Sequence, residues 1–250
     1  MKDEKYGIET KHKTKEGYFV EIVDKIGWHK RRIRFENGYE TIAKCSNIGT
    51  GNIKNPYHPY TYGVGYLGVG NYRAKINRKT TPEYNVWNHM IQRCYDKKYQ
   101  ERQPTYKGVT VCKEWLNFQV FADFYHKNNP KIKGIKFQLD KDLLQLEIEN
   151  KIYSPDTCIF LPYNVNLFLA NKFSNNTSGY VGVSWSKARK KWEVQVNLFG
   201  ENKSKTLGRF ATPEEASQSY QQARAEQSEK VKDYLRSLNY LPEETIQLVK

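Results

Sequence analysis

Apolar and polar residues alternate with a period of two in two stretches toward the end of the 250-residue chain. The first is Tyr180-Val181-Gly182-Val183-Ser184-Trp185; in the second, Lys191 to Asn197, the residues Trp192, Val194 and Val196 share one parity. Such alternation predicts strands with one apolar and one polar face. Gly200, Glu201 and Asn202 supply turn residues before a third run, Lys203 to Phe210, so the segment reads as a meander of hairpins. A helix follows. Thr212 stands where an N-cap belongs, Pro213 fits the first helical position, and Glu215 occupies the capping-box position three residues on. Ala216, Tyr220 and Ala223 form a stripe that can lie close against the sheet.

The first 70 residues predict short strands at Tyr18 to Val23, Lys30 to Phe35 and Tyr39 to Lys44, with Asn37-Gly38 as the hairpin turn between the last two. This is a small β-barrel or sheet. Its Lys30-Arg31-Arg32-Ile33-Arg34 run reads either as a solvated strand protected by charge or as an auxiliary phosphate contact. Asn55 to Tyr60 and the glycines at 63, 65, 68 and 70 read as a linker or wrapped loop. Gly63 to Gly68 formally satisfies a dinucleotide-binding pattern, but no strand, turn and helix surround it.

In the centre, Tyr84, Trp87, Met90, Ile91 and Cys94 share a face of a helix opened by Pro82, and Trp115, Phe118, Phe121, Ala122 and Tyr125 mark a second helix. Both are core stripes. Tyr220, Ala223, Val231, Leu235 and Leu238 continue the last long helix, and Leu241-Pro242-Glu243-Glu244 separates a short final one. The expected organisation is α+β in three modules: 1–70, a small β module with a Gly-rich linker; 71–172, a central α+β domain; and 173–250, a three-stranded sheet plus helix with a helical tail.

Charge points to the kind of partner. Lys and Arg number 41 against 27 Asp and Glu, a formal net charge of +14, and the isoelectric point is near 9.4. Such a chain favours a polyanion. From 173 to 210 there are seven basic and two acidic residues, a net +5; from 211 to 250 there are five and seven, a net −2. The positive field therefore sits on the predicted sheet, where it attracts phosphate in a salt-dependent way. The 19 tyrosines serve base stacking or core packing equally well. No apolar run approaches the ~18 residues of a membrane span, and Met1 to Lys5 is not followed by an apolar signal segment, so a cytosolic protein of the host cell is expected.

Tyr180-Val181-Gly182-Val183, Trp192, Leu207-Gly208-Arg209-Phe210 and Glu214-Glu215-Ala216 resemble the APETALA/ethylene-response-factor DNA-binding domain over roughly a fifth of the chain. The resemblance implies a three-stranded sheet lying in the major groove of double-stranded DNA. By position it implies contacts from Ser184, Trp185, Lys187 and Arg189, from Trp192, Gln195 and Asn197, and from Lys203 and Lys205. Ser184 stands where the family usually has Arg, so one guanine-reading fork is missing and the target sequence is not inherited.

Phe137-Gln138-Leu139-Asp140-Lys141-Asp142, then Asn150 to Cys158, then Leu161 to Asn166 resemble the strand, loop and helix of a degenerate HNH nuclease. The three-part layout is similar to bacteriophage proteins grouped with HNH homing endonucleases. That family requires one metal ion, a histidine at the strand end to activate water, and an asparagine that holds the histidine. Here Asp140 occupies the place of the general base, Asp142 follows it, Asn150 stands at the loop asparagine and Asn166 at the helix ligand. Asp140 and Asp142 are candidate Mg²⁺ ligands, or else a pair of surface charges partnered by Lys136 and Lys141.

His12, His29, His58, His89 and His126 are scattered, without helical ligand spacing. Cys45, Cys94, Cys112 and Cys158 contain no close pair and read as buried free thiols or as a remote zinc site formed by the last three. Three functional readings follow: a double-stranded DNA reader with an inactive nuclease-like centre, a metal-dependent nicking endonuclease, and a basic phage protein that binds a host protein or RNA.

Overall fold

The computed structural model describes residues 5–170, 178–201 and 204–250. The chain is a mixed α+β protein, with a four-stranded antiparallel sheet near its start and a three-stranded antiparallel sheet followed by a helix near its end. It divides into two compact units: Met1–Lys107 with Lys113–Asp123, and Gly108–Cys112 with Phe124–Lys250.

In the first unit, β1 (Lys11–Lys13), β2 (Phe19–Lys25), β3 (Lys30–Phe35) and β4 (Glu40–Lys44) pair in sequential order. The alternation in β3 explains its orientation: Arg31, Ile33 and Phe35 are buried, while Lys30, Arg32 and Arg34 are exposed. The β3–β4 turn forms at Asn37-Gly38, where Gly38 adopts a positive φ of 84° and Asn37 Oδ1 accepts from the Tyr39 amide at 3.2 Å. Val20, Ile22, Ile33, Phe35, Ala43 and Ile53 form the core with Ile48 of α1 (Cys45–Gly49). The hairpin of β5 (Lys75–Ile76) and β6 (Lys79–Thr80) precedes α2 (Pro82–Tyr95) and α3 (Lys97–Arg102). Pro82 lies in the first turn of α2, and Trp87, Met90, Ile91 and Cys94 are buried along its inner face.

The Gly-rich segment is a wrapped loop. Bridges join Thr61 to Gly65 and Tyr66 to Asn117. A β-carbon at Gly65 would lie 2.9 Å from the Trp87 ring, so glycine is what lets the loop lie against that indole. Trp115 falls in a 3₁₀ turn, and the predicted second helix begins three residues later as α4 (Phe118–Asn128). Asn117 Oδ1 accepts from the Gln119 amide at 3.0 Å and so satisfies a donor at the start of α4.

In the second unit, β7 (Thr110–Val111) pairs in parallel with β9 (Ile152–Tyr153), and β8 (Phe137–Asp140) pairs antiparallel with β10 (Ile159–Pro162), which leads into α5 (Tyr163–Leu169). The three-stranded sheet comprises β11 (Val183–Ser186), β12 (Lys191–Asn197) and β13 (Ser204–Phe210). The 26-residue helix α6 (Pro213–Leu238) and the short α7 (Glu243–Ile246) complete the chain. Thr212 caps α6 as the sequence predicts, its Oγ1 accepting from the Glu215 amide at 3.2 Å, and Asn239 ends it at φ 48°.

Helix α6 packs on two cores. Ala216 and Tyr220 cover Val183 and Val194 of the sheet. Val231 and Leu235 join Leu143, Leu161, Val165 and Phe168, together with Ile246 and Val249. Tyr240 Oη donates to the Phe160 carbonyl at 2.9 Å and fastens the tail to β10. The C-terminal sheet and the β8–β10–α5 segment thus belong to one compact unit. The expected module boundary at 172/173 falls at 171–177, outside the described residues.

Strand β11 begins at Val183, three residues later than the alternation predicts. Gly182 has φ 69°, and a β-carbon there would collide with the Tyr220 ring and lie 2.7 Å from the Gln195 carbonyl. The close approach of α6 to the sheet thus converts the first half of the apolar run into a turn.

Candidate nucleic-acid interface

Strand register decides which side chains share a face, because directly paired residues on antiparallel strands project to the same side. Val183 pairs with Val194, which pairs with Gly208, and this row lies under α6. Ser184, Glu193 and Arg209 form the next row and therefore face the other way. Gln195 with Thr206 and Asn197 with Ser204 extend that outer face. It carries no large apolar side chain, and Ser184, Gln195, Asn197, Ser204, Thr206 and Arg209 are exposed.

Glu193 organises two cations on this face. Its Oε1 accepts from Arg209 Nε at 2.7 Å and lies 3.5 Å from Arg189 Nε. Two guanidiniums held by one carboxylate lose less freedom on engaging a ligand than two free ones. Lys187 and Arg189 are exposed in the β11–β12 turn, beside exposed Lys190 and Lys191. Lys190 adopts φ 51°, and its amide donates to the Ser186 carbonyl at 2.8 Å, so this basic turn is tight.

The tryptophans stand on the opposite face. Trp185 pairs with Trp192 and Trp192 with Phe210, in the register that alternates with the outer rows. The indoles meet edge to face at 5.1 Å, and Trp192 packs against the core beneath α6. Lys205 pairs with Val196 and so projects from the helix side, although it is exposed. A register shift between Val194 and Gln195 leaves Leu207 without a partner on β12, and this bulge separates the parity of Lys205 from that of Arg209. Lys203 lies outside the described residues. The alternation alone missed Glu193 and Arg209. The signal for Glu193 is its parity with Gln195 and Asn197; Arg209 shares sequence parity with the predicted contact Lys205, and the bulge puts it on the outer face without Lys205.

The residues expected to hold Mg²⁺ are not arranged as a metal site. Asp140 is buried at the end of β8, and its Oδ1 accepts from the Asp142 amide at 3.0 Å and the Leu143 amide at 2.8 Å. These two bonds tie the end of β8 to the start of the following 3₁₀ turn, Leu143–Gln145. Burial raises the pKa of Asp140, opposed by the two amides. Asp142 is shifted the other way. Burial works against its charge, but the ammoniums of Lys141 at 2.7 Å and Lys151 at 2.6 Å prevail and hold its pKa below the usual carboxylate value. Gln145, almost fully buried, closes the loop with bonds to the Lys141 carbonyl and to both backbone groups of Ile152. Asn166 Nδ2 donates to Gln138 Oε1 at 3.0 Å, and Asn150 is exposed with its Oδ1 against Gly108.

No family model, curated protein or solved structure matches this chain.

The fit of the Mg²⁺ implied by the nuclease resemblance can be tested on these side chains. A hard dication needs carboxylate oxygens turned to a common point. Here Asp140 is turned to backbone amides, Asp142 to two ammoniums and Asn166 to Gln138, so the residues do not fit it. Among the described residues no group of three or more His, Cys, Asp or Glu is placed to hold a metal ion. Cys94 and Cys158 are buried, and burial pushes the Cys158 thiol up to about 12. No helix among the described residues is long and apolar enough to cross a membrane.

Proposed function

We propose that this protein binds double-stranded DNA through the outer face of β11–β13, laid in the major groove, and that β8, β10 and α5 serve as scaffold instead of a cutting centre. The observation that carries this reading is the Glu193-centred row: a polar sheet face, uncovered by α6, on which one carboxylate orients Arg209 and Arg189. A narrow β-ribbon fits a groove about 12 Å wide. Arg209 supplies a fork suited to guanine O6 and N7, and the amides of Gln195 and Asn197 suit adenine N6 and N7. Lys187, Lys190 and Lys191, in and beside the basic turn, neutralise phosphates and set position along the duplex.

The test begins by selecting the preferred duplex from a random pool and measuring its affinity against salt. Arg209→Ala is expected to weaken the selected duplex by about 1–3 kcal/mol and relax specificity at one position. Lys187→Ala is expected to weaken all duplexes alike and lower the salt slope by about 1. Affinity for duplex that is unmoved by both substitutions sinks the assignment. In the same preparation, supercoiled DNA is incubated with Mg²⁺ or chelator. Nicking that requires the metal and disappears in Asp140→Asn would replace the scaffold reading with the nuclease one.

A further inference from the structure

Trp28 is the most exposed large apolar residue described, at 94 % of its free surface. It sits at the tip of the β2–β3 hairpin, and that tip is tied down by hydrogen bonds. The buried Arg31 donates through Nη1 to the Gly27 carbonyl at 3.1 Å and the Lys30 carbonyl at 3.0 Å, and through Nε to the Tyr6 carbonyl at 2.8 Å. The Ile26 amide closes the loop on the Lys30 carbonyl at 3.0 Å, and the Cys45 amide holds the His29 carbonyl at 2.9 Å. Gly27, at φ 73°, makes the turn that presents the indole. An apolar ring held out in water by a buried guanidinium gains nothing for the fold, since no hydrophobic surface is removed from solvent.

The charge around it is graded along β3. Arg34, far from the tip, is neutralised by Glu40 at 2.8 Å. Arg32 lies opposite Asp24. Lys30, next to the tip, pairs instead with Lys44, a like-charge pair that costs stability. Among the described residues neither ammonium has a carboxylate within ion-pair distance. Excess positive charge therefore collects where the indole is exposed, and the ligand that matches both is a flat ring attached to phosphates.

We propose that Trp28, with Lys30 and Lys44, is a binding site for an unpaired nucleobase of single-stranded DNA. Bases inside a duplex have both faces stacked, and inserting a side chain between them costs a few kcal/mol, whereas an unpaired base has a face free for the indole. The two ammoniums take the adjoining phosphates. The residues are separate from those of the β11–β13 sheet, so the site stands or falls independently of the duplex-reading proposal.

The experiment uses the full chain, with anisotropy of a labelled single-stranded oligonucleotide, a fully abasic oligomer of equal length, and the selected duplex. The wild type is expected to bind the base-bearing strand about tenfold or more tighter than the abasic oligomer. Trp28→Ala should erase that difference at unchanged duplex affinity and melting temperature, and Trp28→Phe should retain much of it. Lys30→Ala with Lys44→Ala should weaken both oligomers and reduce the salt slope by about 1.4. Equal effects of Trp28→Ala on base-bearing and abasic strands, or none on either, would overturn the site. So would a dependence on Trp28 confined to anionic phospholipid vesicles. Arg209→Ala separates the two surfaces: it is expected to lower duplex binding and leave the base-dependent difference intact.

Discussion

Glu193 and Arg209 pair across the β12–β13 ladder, and Glu193 Oε1 accepts from Arg209 Nε at 2.7 Å while also facing Arg189. On the face proposed to bind DNA, a carboxylate opposes raw affinity for phosphate but holds the guanidiniums in one orientation. Glu193→Gln is therefore expected to raise affinity for arbitrary duplex and steepen its salt dependence, while lowering discrimination between preferred and random sequence. Folding stability should change by less than about 1 kcal/mol, because the partners are partly exposed. Competition binding at two salt concentrations measures both effects.

Asp140 and Asp142 are two residues apart and shift in opposite directions from an ordinary value of 3.8. The raised pKa of Asp140 gives stability that is fully present below 3.8 and lost as pH rises through its folded value. Asp140→Asn keeps an oxygen for the two amides without a buried charge, so its stability relative to the wild type should rise from pH 4 toward neutrality. Asp140→Ala leaves those amides unpaired and should cost about 1–3 kcal/mol. The lowered pKa of Asp142 gives stability present above 3.8 and lost as pH falls through its folded value. Asp142→Asn should thus be less stable than the wild type at pH 7, by about 1 kcal/mol given the exposure of Asp142, and converge with it in acid. Urea midpoints across pH report all three.

Gly182→Ala tests the seat of α6 on the sheet. The substitution meets a left-handed backbone, the Tyr220 ring and the Gln195 carbonyl together. A loss above about 1 kcal/mol is expected. Adding Tyr220→Ala should recover only part of it, because the backbone contact at 2.7 Å remains. Thermal unfolding of the single and double variants decides this.

The tail is fastened at two points on one unit. Arg224 lies with Cζ 3.4 Å from the Phe168 ring centre and donates to the Phe168 carbonyl at 3.0 Å, and Tyr240 bonds to Phe160. Tyr240→Phe is expected to cost about 0.5–1.5 kcal/mol. Arg224→Ala should cost about 1 kcal/mol, since the cation is only partly buried. Hydrogen exchange should show faster opening of α7 in the first and of mid-α6 in the second.

Much of the fold was legible because its signals are local. The Asn37-Gly38 turn, Pro82 at the head of α2, and the Thr212-Pro213-Glu215 start of α6 involve groups a few residues apart, so chain order alone brings the partners together. The alternation in β3 and β12 likewise assigns inward and outward residues without knowledge of what covers them. The basic character of the C-terminal sheet region is a matter of composition and could be counted.

Tertiary structure decided the rest because the deciding partners are distant in sequence or break the local period. Period two puts Lys205 and Arg209 on one face, and the bulge at Leu207 sets them on opposite faces. Trp185 and Trp192 have the composition of base-stacking residues, yet register sets both on the face opposite the Glu193 row, where Trp192 packs into the core beneath α6. Asp140 and Asp142 have the spacing of metal ligands, but Lys151, nine residues beyond Asp142, and the Leu143 amide engage their oxygens. The amino-acid sequence by itself determined the strands, the caps and the positive charge. Which side chains that charge can present to a ligand depended on pairing register and on Tyr220 reaching Gly182, contacts made only when distant segments pack.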